Sequence, residues 1–200
     1  MKKTIIIFSI IGISISTIGI SKISNNKISY NKNQSFAASY IIPQNLEELE
    51  SKTEIIVKGR FTGETEIDKD KNVIGPSTIS QFKVNKTYKG NISQDTISVI
   101  EPYKIEKKDF TNIEGYLPME DDKEYILFLR ENNVQSKKQY TIKSISFGKY
   151  NLTSKEIAHP QETKIDYLDE AIKKDFISQS ESECDTYNNI KQDVLKKYTK

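Results

Sequence analysis

The stretch QFKVNKTYKGNISQDTISVI, residues 81–100, has the pattern of two strands joined by a polar turn. Large apolar residues alternate with polar ones on both sides of the turn, with the period of two that is typical of half-buried strands: Phe82, Val84, Tyr88, Ile97 and Val99. The turn contains Gly90, and Pro102 ends the second strand. The sequence therefore predicts a β-hairpin here.

Strand patterns also occur on both sides of this hairpin. Residues 53–67 alternate in the same way around Gly59, and a glycine inside a strand predicts a bulge or a sharp bend. A continuous apolar strand follows at residues 125–129, and residues 139–152 supply the last strand. Five strands with one long polar connection, residues 103–122, predict a small closed or partly closed barrel.

Helices are predicted on both sides of the barrel segment, residues 53–152. Residues 38–52 form a short N-terminal helical lead-in in which Leu46 and Leu49 share a face. Residues 153–200 form a helical C-terminal tail with two amphipathic helices. Their apolar residues recur at helical spacing: Ile165, Leu168, Ile172 and Phe176 in the first helix, and Tyr187, Ile190, Val194 and Tyr198 in the second.

Residues 1–37 have the pattern of a secretory signal peptide. Two lysines precede an apolar run, residues 5–20, which is short for a membrane span and lies where a signal peptide has its hydrophobic region. A small-x-small site at residues 35–37 predicts a cut after Ala37 or Ala38. We therefore expect a secreted or extracytoplasmic protein. An uncleaved N-terminal membrane anchor is the alternative, because the apolar run ends far before the cut site.

The charge balance argues against nucleic acid as a partner. The whole chain carries a formal net charge of +2, but residues 1–37 contain five lysines and no acid. Beyond them, 25 lysines and arginines face all 28 acidic residues, which leaves −3. A chain with this balance has no electrostatic attraction to phosphate backbones.

Residues that carry chemistry in most enzymes are scarce. His159 and Cys184 are the only histidine and cysteine, so no intrachain disulfide forms and the usual zinc ligands are missing. Such a chain is typical of a bacterial exported protein that is held by its core. Acidic neighbours disfavour a thiolate at Cys184, and His159 is interpreted as a linker residue. We predict no catalytic residue, no metal ion and no cofactor.

One acidic stretch has part of a calcium-binding pattern. Residues 68–72, DKDKN, place oxygen ligands at alternate positions, as at the start of a calcium loop. Val73 and Ile79 stand where such a loop needs its glycine and its bidentate glutamate. A solvated turn explains the stretch without a metal.

The strand motifs resemble those of the netrin-like domain, the oligonucleotide/oligosaccharide-binding (OB) type of barrel found in tissue inhibitors of metalloproteinases and in secreted bacterial proteins. They are Gly59, FKVNKTYKG (82–90), ISVIE (97–101), DKEYILFLRE (122–131) and YTIKS (140–144). The resemblance implies a five-stranded OB-like barrel, so the predicted fold class is mainly β, with this barrel and two C-terminal amphipathic helices. The inhibitors chelate the protease zinc through an N-terminal cysteine. Here the predicted start is Ala38 or Ser39, so that mechanism is not carried over.

These observations predict a non-catalytic module that binds a protein or a cell-envelope component. The expected binding surface combines lysines and tyrosines around the opening hairpin: Lys86, Tyr88, Lys89, Tyr103 and Lys104. The amphipathic helices are expected to pack on the barrel or on each other, and a partner-binding helix is the second interpretation. A secreted enzyme inhibitor is the main alternative function. An exported hydrolase with paired carboxylates is the third.

Overall fold

The computed structural model describes residues 27–69, 75–134, 137–153, 156–158 and 165–199. The N-terminal apolar run, His159 and most of the DKDKN stretch lie outside the described residues. The fold is mainly β with a C-terminal helix, which confirms the prediction at that level.

The described strands are, in chain order, β1 Ser29–Phe36, β2 Ile55–Ile67, β3 Thr78–Lys89, β4 Thr96–Glu101, β5 Tyr103–Glu106, β6 Asp109–Ile113, β7 Glu124–Val134, β8 Lys137–Ile142, β9 Lys149–Asn151, β10 Glu156–Ala158 and β11 Lys174–Ile177. The helices are α1 Leu46–Ser51, α2 Leu168–Ala171 and α3 Glu181–Tyr198, with a 3-10 turn at Ile145–Gly148. Asn45 caps α1 and Ser180 caps α3, each accepting a hydrogen bond from a backbone N–H three residues later.

The strands of the described residues form three sheets. Their orders are β2-β3-β4-β8-β7-β9, β1-β6-β5 and β10-β11, and β2 also pairs with β7. The predicted hairpin is the antiparallel pair β3 and β4. The sequence predicts one barrel of five strands, whereas the largest sheet has six, so a closed five-stranded barrel is not confirmed.

The long connection at residues 103–122 is more ordered than its polarity indicates. It contains the antiparallel hairpin of β5 and β6, which joins β1 in the second sheet. Five of its large side chains are buried in the core: Tyr103, Phe110, Tyr116, Leu117 and Met119. They attach the small sheet to the large one.

Residues 125–129 of strand β7 are continuously apolar because both faces of the strand are covered there. Tyr125, Leu127 and Leu129 belong to one buried cluster, together with β2, β3 and β4 side chains. Ile126 and Phe128 point to the opposite face and belong to a second cluster, which includes side chains of α1 and α3. A strand buried on both faces has no polar alternation.

The prediction of the first C-terminal helix is wrong. Only four of its residues are helical, in α2, and Phe176 lies instead in β11, which pairs with β10 in parallel. The second is confirmed as α3, whose predicted face Tyr187, Ile190, Val194 and Tyr198 is buried. Within the described residues, no helix combines the length and the apolar character needed to cross a bilayer.

Gly59 provides the first testable prediction. The β2–β3 register shifts between Lys58 and Gly59, as the sequence predicts, and a Cβ at Gly59 would overlap the Lys83 carbonyl oxygen and the Phe82 ring. Because backbone cannot easily move aside, we expect Gly59→Ala to lower the free energy of unfolding by about 1–3 kcal/mol. Urea denaturation measures this change. Lys58→Ala is the control, and an equal loss in both variants would contradict the explanation.

Candidate functional site

Three of the five predicted surface residues lie together at the end of β3. The Nζ atom of Lys86 lies 4.6 Å from the centre of the Tyr88 ring, and both Lys86 and Lys89 are exposed. The Tyr88 hydroxyl donates a hydrogen bond to the Tyr198 carbonyl oxygen at 2.7 Å, so the tyrosine holds the end of α3. We call these three residues the β3 tip.

Glu50 connects the β3 tip to both α1 and α3. Lys197 lies 2.7 Å from each Glu50 carboxylate oxygen, and the Tyr198 hydroxyl donates to Oε1 at 2.5 Å. Lys89 donates to the Glu50 backbone oxygen at 2.7 Å. Burial, and then the Glu50 carboxylate, raise the pKa of Tyr198. The contacts of this junction fix the local geometry and leave Lys86 as its outward-facing cation.

Tyr103 and Lys104 do not belong to this surface. The Tyr103 side chain is only 2% exposed and packs beside Phe110, so it is not available to stack on a ligand. Its backbone oxygen accepts from Thr78 at the opposite end of β3. Because a strand advances about 3.3 Å per residue, the ten steps from Thr78 to Tyr88 span about 33 Å. The predicted five-residue surface is therefore two separate regions.

Lys104 lies next to Tyr103 on β5 and is half-buried. Its Nζ is 2.8 Å from Oε1 of Glu106 on the same strand. This side chain is thus engaged in a local ion pair. It adds no free cation to the region around Tyr103.

A buried carboxylate, Glu101, lies in the interior near Tyr103. Oε1 accepts a hydrogen bond from the Ser80 hydroxyl at 2.5 Å, and Oε2 accepts from the Tyr116 hydroxyl at 2.6 Å and the Met119 N–H at 2.9 Å. Burial, followed by the Glu101 charge, raises the pKa of Tyr116. Glu101 is not among the predicted site residues, although the period of two from Ile97 places it on the buried face.

A second buried ionic group joins α3 to β11. Lys191 lies 2.8 Å from Oδ2 of Asp175, and the Tyr187 hydroxyl donates to the same oxygen at 3.0 Å. Both charged side chains are almost completely buried. The sequence signal was the spacing of four residues from Tyr187 to Lys191, which puts the lysine on the buried helical face.

Cys184 is not an activated nucleophile. Its side chain is buried on α3, and burial raises the pKa of the thiol, with further increases from the charges of Glu183, Asp185 and Glu181. The backbone at Ser178 opposes this increase only in part. The acidic sequence around the cysteine predicts this direction. In the described part of the chain, no three His, Cys, Asp or Glu side chains are grouped to hold a metal ion.

In comparisons with known proteins, no protein-family description and no curated protein matches the chain.

Proposed function

We propose that the protein is an exported bacterial binding module, secreted or associated with the cell envelope, that recognises another macromolecule without catalysing a reaction. The fold proposed for it is an OB-like barrel made of β2, β3, β4, β8 and β7. The pairing of β2 with both β3 and β7 supports this arrangement, as does the parallel pairing of β4 with β8. Export rests on the leader pattern of residues 1–37.

The main support for the proposal is that the two interior carboxylates, Glu101 and Asp175, are bound by other side chains of the fold. Glu101 accepts three hydrogen bonds, and Asp175 is bound by a lysine and a tyrosine. Both acids are shielded from solvent. Carboxylates that hydrolyse a polymer must reach the scissile bond and a water molecule. These two acids stabilise the scaffold instead.

The β3 tip is the proposed recognition surface. β3 pairs with β4 only as far as Lys83, so the tip extends beyond its neighbour and is paired on the β2 side alone. Lys83, at the last pair with β4, and Lys86, on the extension, are both exposed. The hydrogen bond from Tyr88 to the end of α3 fixes this part of the strand. An exposed cationic ribbon on a rigid strand fits an acidic segment of a protein or an anionic envelope component.

A charge reversal tests this assignment. Lys86→Glu is expected to weaken capture of the partner from the envelope fraction of the producing cell at least tenfold, because a like charge replaces an attractive one. Lys196→Glu, on an exposed position in the last turn of α3, is the matched control. Immobilised full chain and its variants are compared by the yield of captured material at two salt concentrations. Equal capture by both variants would remove the β3 tip from the proposal.

Inhibition of a secreted protease is the second candidate function. It is favoured by Ile41, whose side chain is 64% exposed on the segment between the predicted cut site and α1. An exposed apolar side chain on an extended segment suits insertion into a protease cleft. Titration of secreted proteases with the purified protein tests this function, and full protease activity at stoichiometric excess would exclude it. A hydrolase role would require turnover of a polymer substrate that replacing a pair of exposed carboxylates abolishes without unfolding the chain.

A further inference from the structure

Strand β1 lies in a slot with backbone partners on both sides. On the β6 side, Ser29 donates to the Lys108 carbonyl oxygen at 3.1 Å, and Phe36 accepts from the Glu114 N–H at 3.1 Å. On the other side, Tyr30 donates to the Asp166 oxygen at 2.9 Å, and Ser29 bridges Tyr167. β1 is the edge strand of its sheet, and only its first two residues have this second set of partners, so its departure would expose the edge of β6.

The slot contains a pocket for an aromatic side chain. The Tyr30 ring is 5% exposed and stacks on Phe110, with 5.9 Å between ring centres and 24° between planes. Asn112, also buried, lies on β6 two residues after Phe110. Burial raises the pKa of Tyr30, and a hydrogen bond with the Asn112 side chain opposes part of this increase. A tyrosine on a bound strand would therefore meet both a stacking ring and a polar partner in this pocket.

β1 pairs with β6 in two short segments, residues 29–30 and residues 35–36. Tyr30 is opposite Phe110 and Ser35 is opposite Asn112, so five steps along β1 correspond to two along β6. A regular parallel strand advances by equal steps on both sides. The slot therefore accepts a strand at both ends, but β1 does not match it along its length.

The predicted cut site lies directly after β1. Ala37, Ala38 and Ser39 are exposed, and the Ala38 backbone nitrogen lies 2.6 Å from Oε1 of Glu114. A separate peptidase that hydrolyses the Ala37–Ala38 bond consumes one water, leaving a carboxylate on Ala37 and an ammonium group on Ala38. Glu114 is already placed to pair with that new charge. The cut would thus secure the new terminus and free β1 from its covalent link.

We infer that the slot between β6 and residues 166–168 is a binding site for an extended peptide strand of a partner protein, with an aromatic residue in the position of Tyr30. The cut after Ala37 makes the slot available. No copy of the cut chain keeps residues 29–36, so the occupant comes from a different protein. Strand addition supplies backbone hydrogen bonds for affinity, and the aromatic pocket supplies selectivity. This site rests on the proposed export and is independent of the β3 tip.

The test uses the full chain and a fluorescent synthetic peptide of residues 27–37. Tyr30→Ala removes the aromatic anchor of the chain's own strand, so the variant is expected to bind the peptide at least tenfold more tightly than the wild-type chain. In the wild type, the tethered strand competes at a high effective concentration. Fluorescence anisotropy measures both affinities. A peptide with Tyr30→Phe is expected to bind, whereas one with Tyr30→Ala is not.

Equal binding of the labelled peptide to both chains, or equal binding of the Tyr30→Ala peptide, would overturn the inference. A concentration-dependent dimer that excludes the peptide would make a second copy the occupant and would also overturn it. Should Tyr30→Ala unfold, the wild-type chain is folded first and then cut at a peptidase recognition sequence inserted after Ala37, and the same titration follows. Because the probe is a defined peptide, this result does not depend on capture of a partner by the β3 tip.

Discussion

Raising the pH from 10 to 11 is expected to unfold the protein cooperatively. Five tyrosines that are almost completely buried carry pKa values that burial raises: Tyr103, Tyr116, Tyr125, Tyr150 and Tyr187. In the unfolded chain these hydroxyls titrate near pH 10, so between pH 10 and their folded-state pKa values the unfolded state binds fewer protons. Stability is therefore fully present below pH 10 and is lost as the pH rises.

The size of this effect is comparable with the whole stability of a typical domain. At pH 11 each such tyrosine favours the unfolded state by about 1.4 kcal/mol, and five together by about 7 kcal/mol, against a usual total of about 5–15 kcal/mol. Tyrosinate absorbance and far-ultraviolet circular dichroism are measured together during alkaline titration. The expected result is one coincident transition. Smooth ionisation of all tyrosines with unchanged dichroism up to pH 12 would refute the described packing.

The second large effect is expected from Lys191→Met. The methionine keeps most of the volume of the buried side chain but leaves the Asp175 carboxylate without its cation, 2.8 Å from where Nζ stood. Breaking a buried ion pair on one side costs about 3–5 kcal/mol. We expect a loss of that size in the free energy of unfolding, measured by urea denaturation at neutral pH. Lys196→Met, on the exposed side of the same helix, should have little effect.

A double-mutant cycle separates the charge effect from packing. Asp175→Asn combined with Lys191→Met removes both charges and should recover much of the stability lost in the single variant. Strictly additive losses would mean that Asp175 and Lys191 do not interact as described. The Tyr187 hydroxyl, which also contacts Asp175 at 3.0 Å, remains in all four proteins.

The regular parts of this fold follow from local periodicity. The alternation around Gly90 gives β3 and β4, the unbroken apolar run at residues 125–129 gives a strand covered on both faces, and the heptad-like spacing from Tyr187 to Tyr198 gives α3. Each signal is contained within one element. The period of each signal follows from which face of the strand or helix is buried.

The errors occur where long-range pairing decides the structure. Phe176 is in phase with Leu168 on a helix, yet β11 forms because β10 pairs with it. The sequence pattern does not indicate the β5–β6 hairpin, because its turn is polar. Lys107 in this turn has a left-handed backbone. β1 lies inside the predicted leader, so its pairing with β6 was not foreseen. Sequence periodicity carries no information on which strand will be the neighbour.

Only three of the five predicted surface residues lie together, because sequence periodicity does not show which strands are neighbours. Lys86, Tyr88 and Lys89 belong to one strand end and stay together, whereas Tyr103 continues the period of two of the buried residues Ile97 and Val99 and faces the core. The side chains that organise the interior, Glu101 and Lys191, were overlooked because charged residues are seldom fully buried unless they are paired. Their partners come from distant parts of the chain.

Photocross-linking in the intact producing cell reports both export and recognition by the β3 tip in one measurement. A photoreactive residue replaces the exposed Asn85, next to Lys86 on β3, or, as the control, the exposed Asp193 on α3. We expect a cross-linked product from position 85 and not from position 193, found outside the cytoplasm. Protein that remains cytoplasmic, or that gives equal products from both positions, would contradict the proposed function.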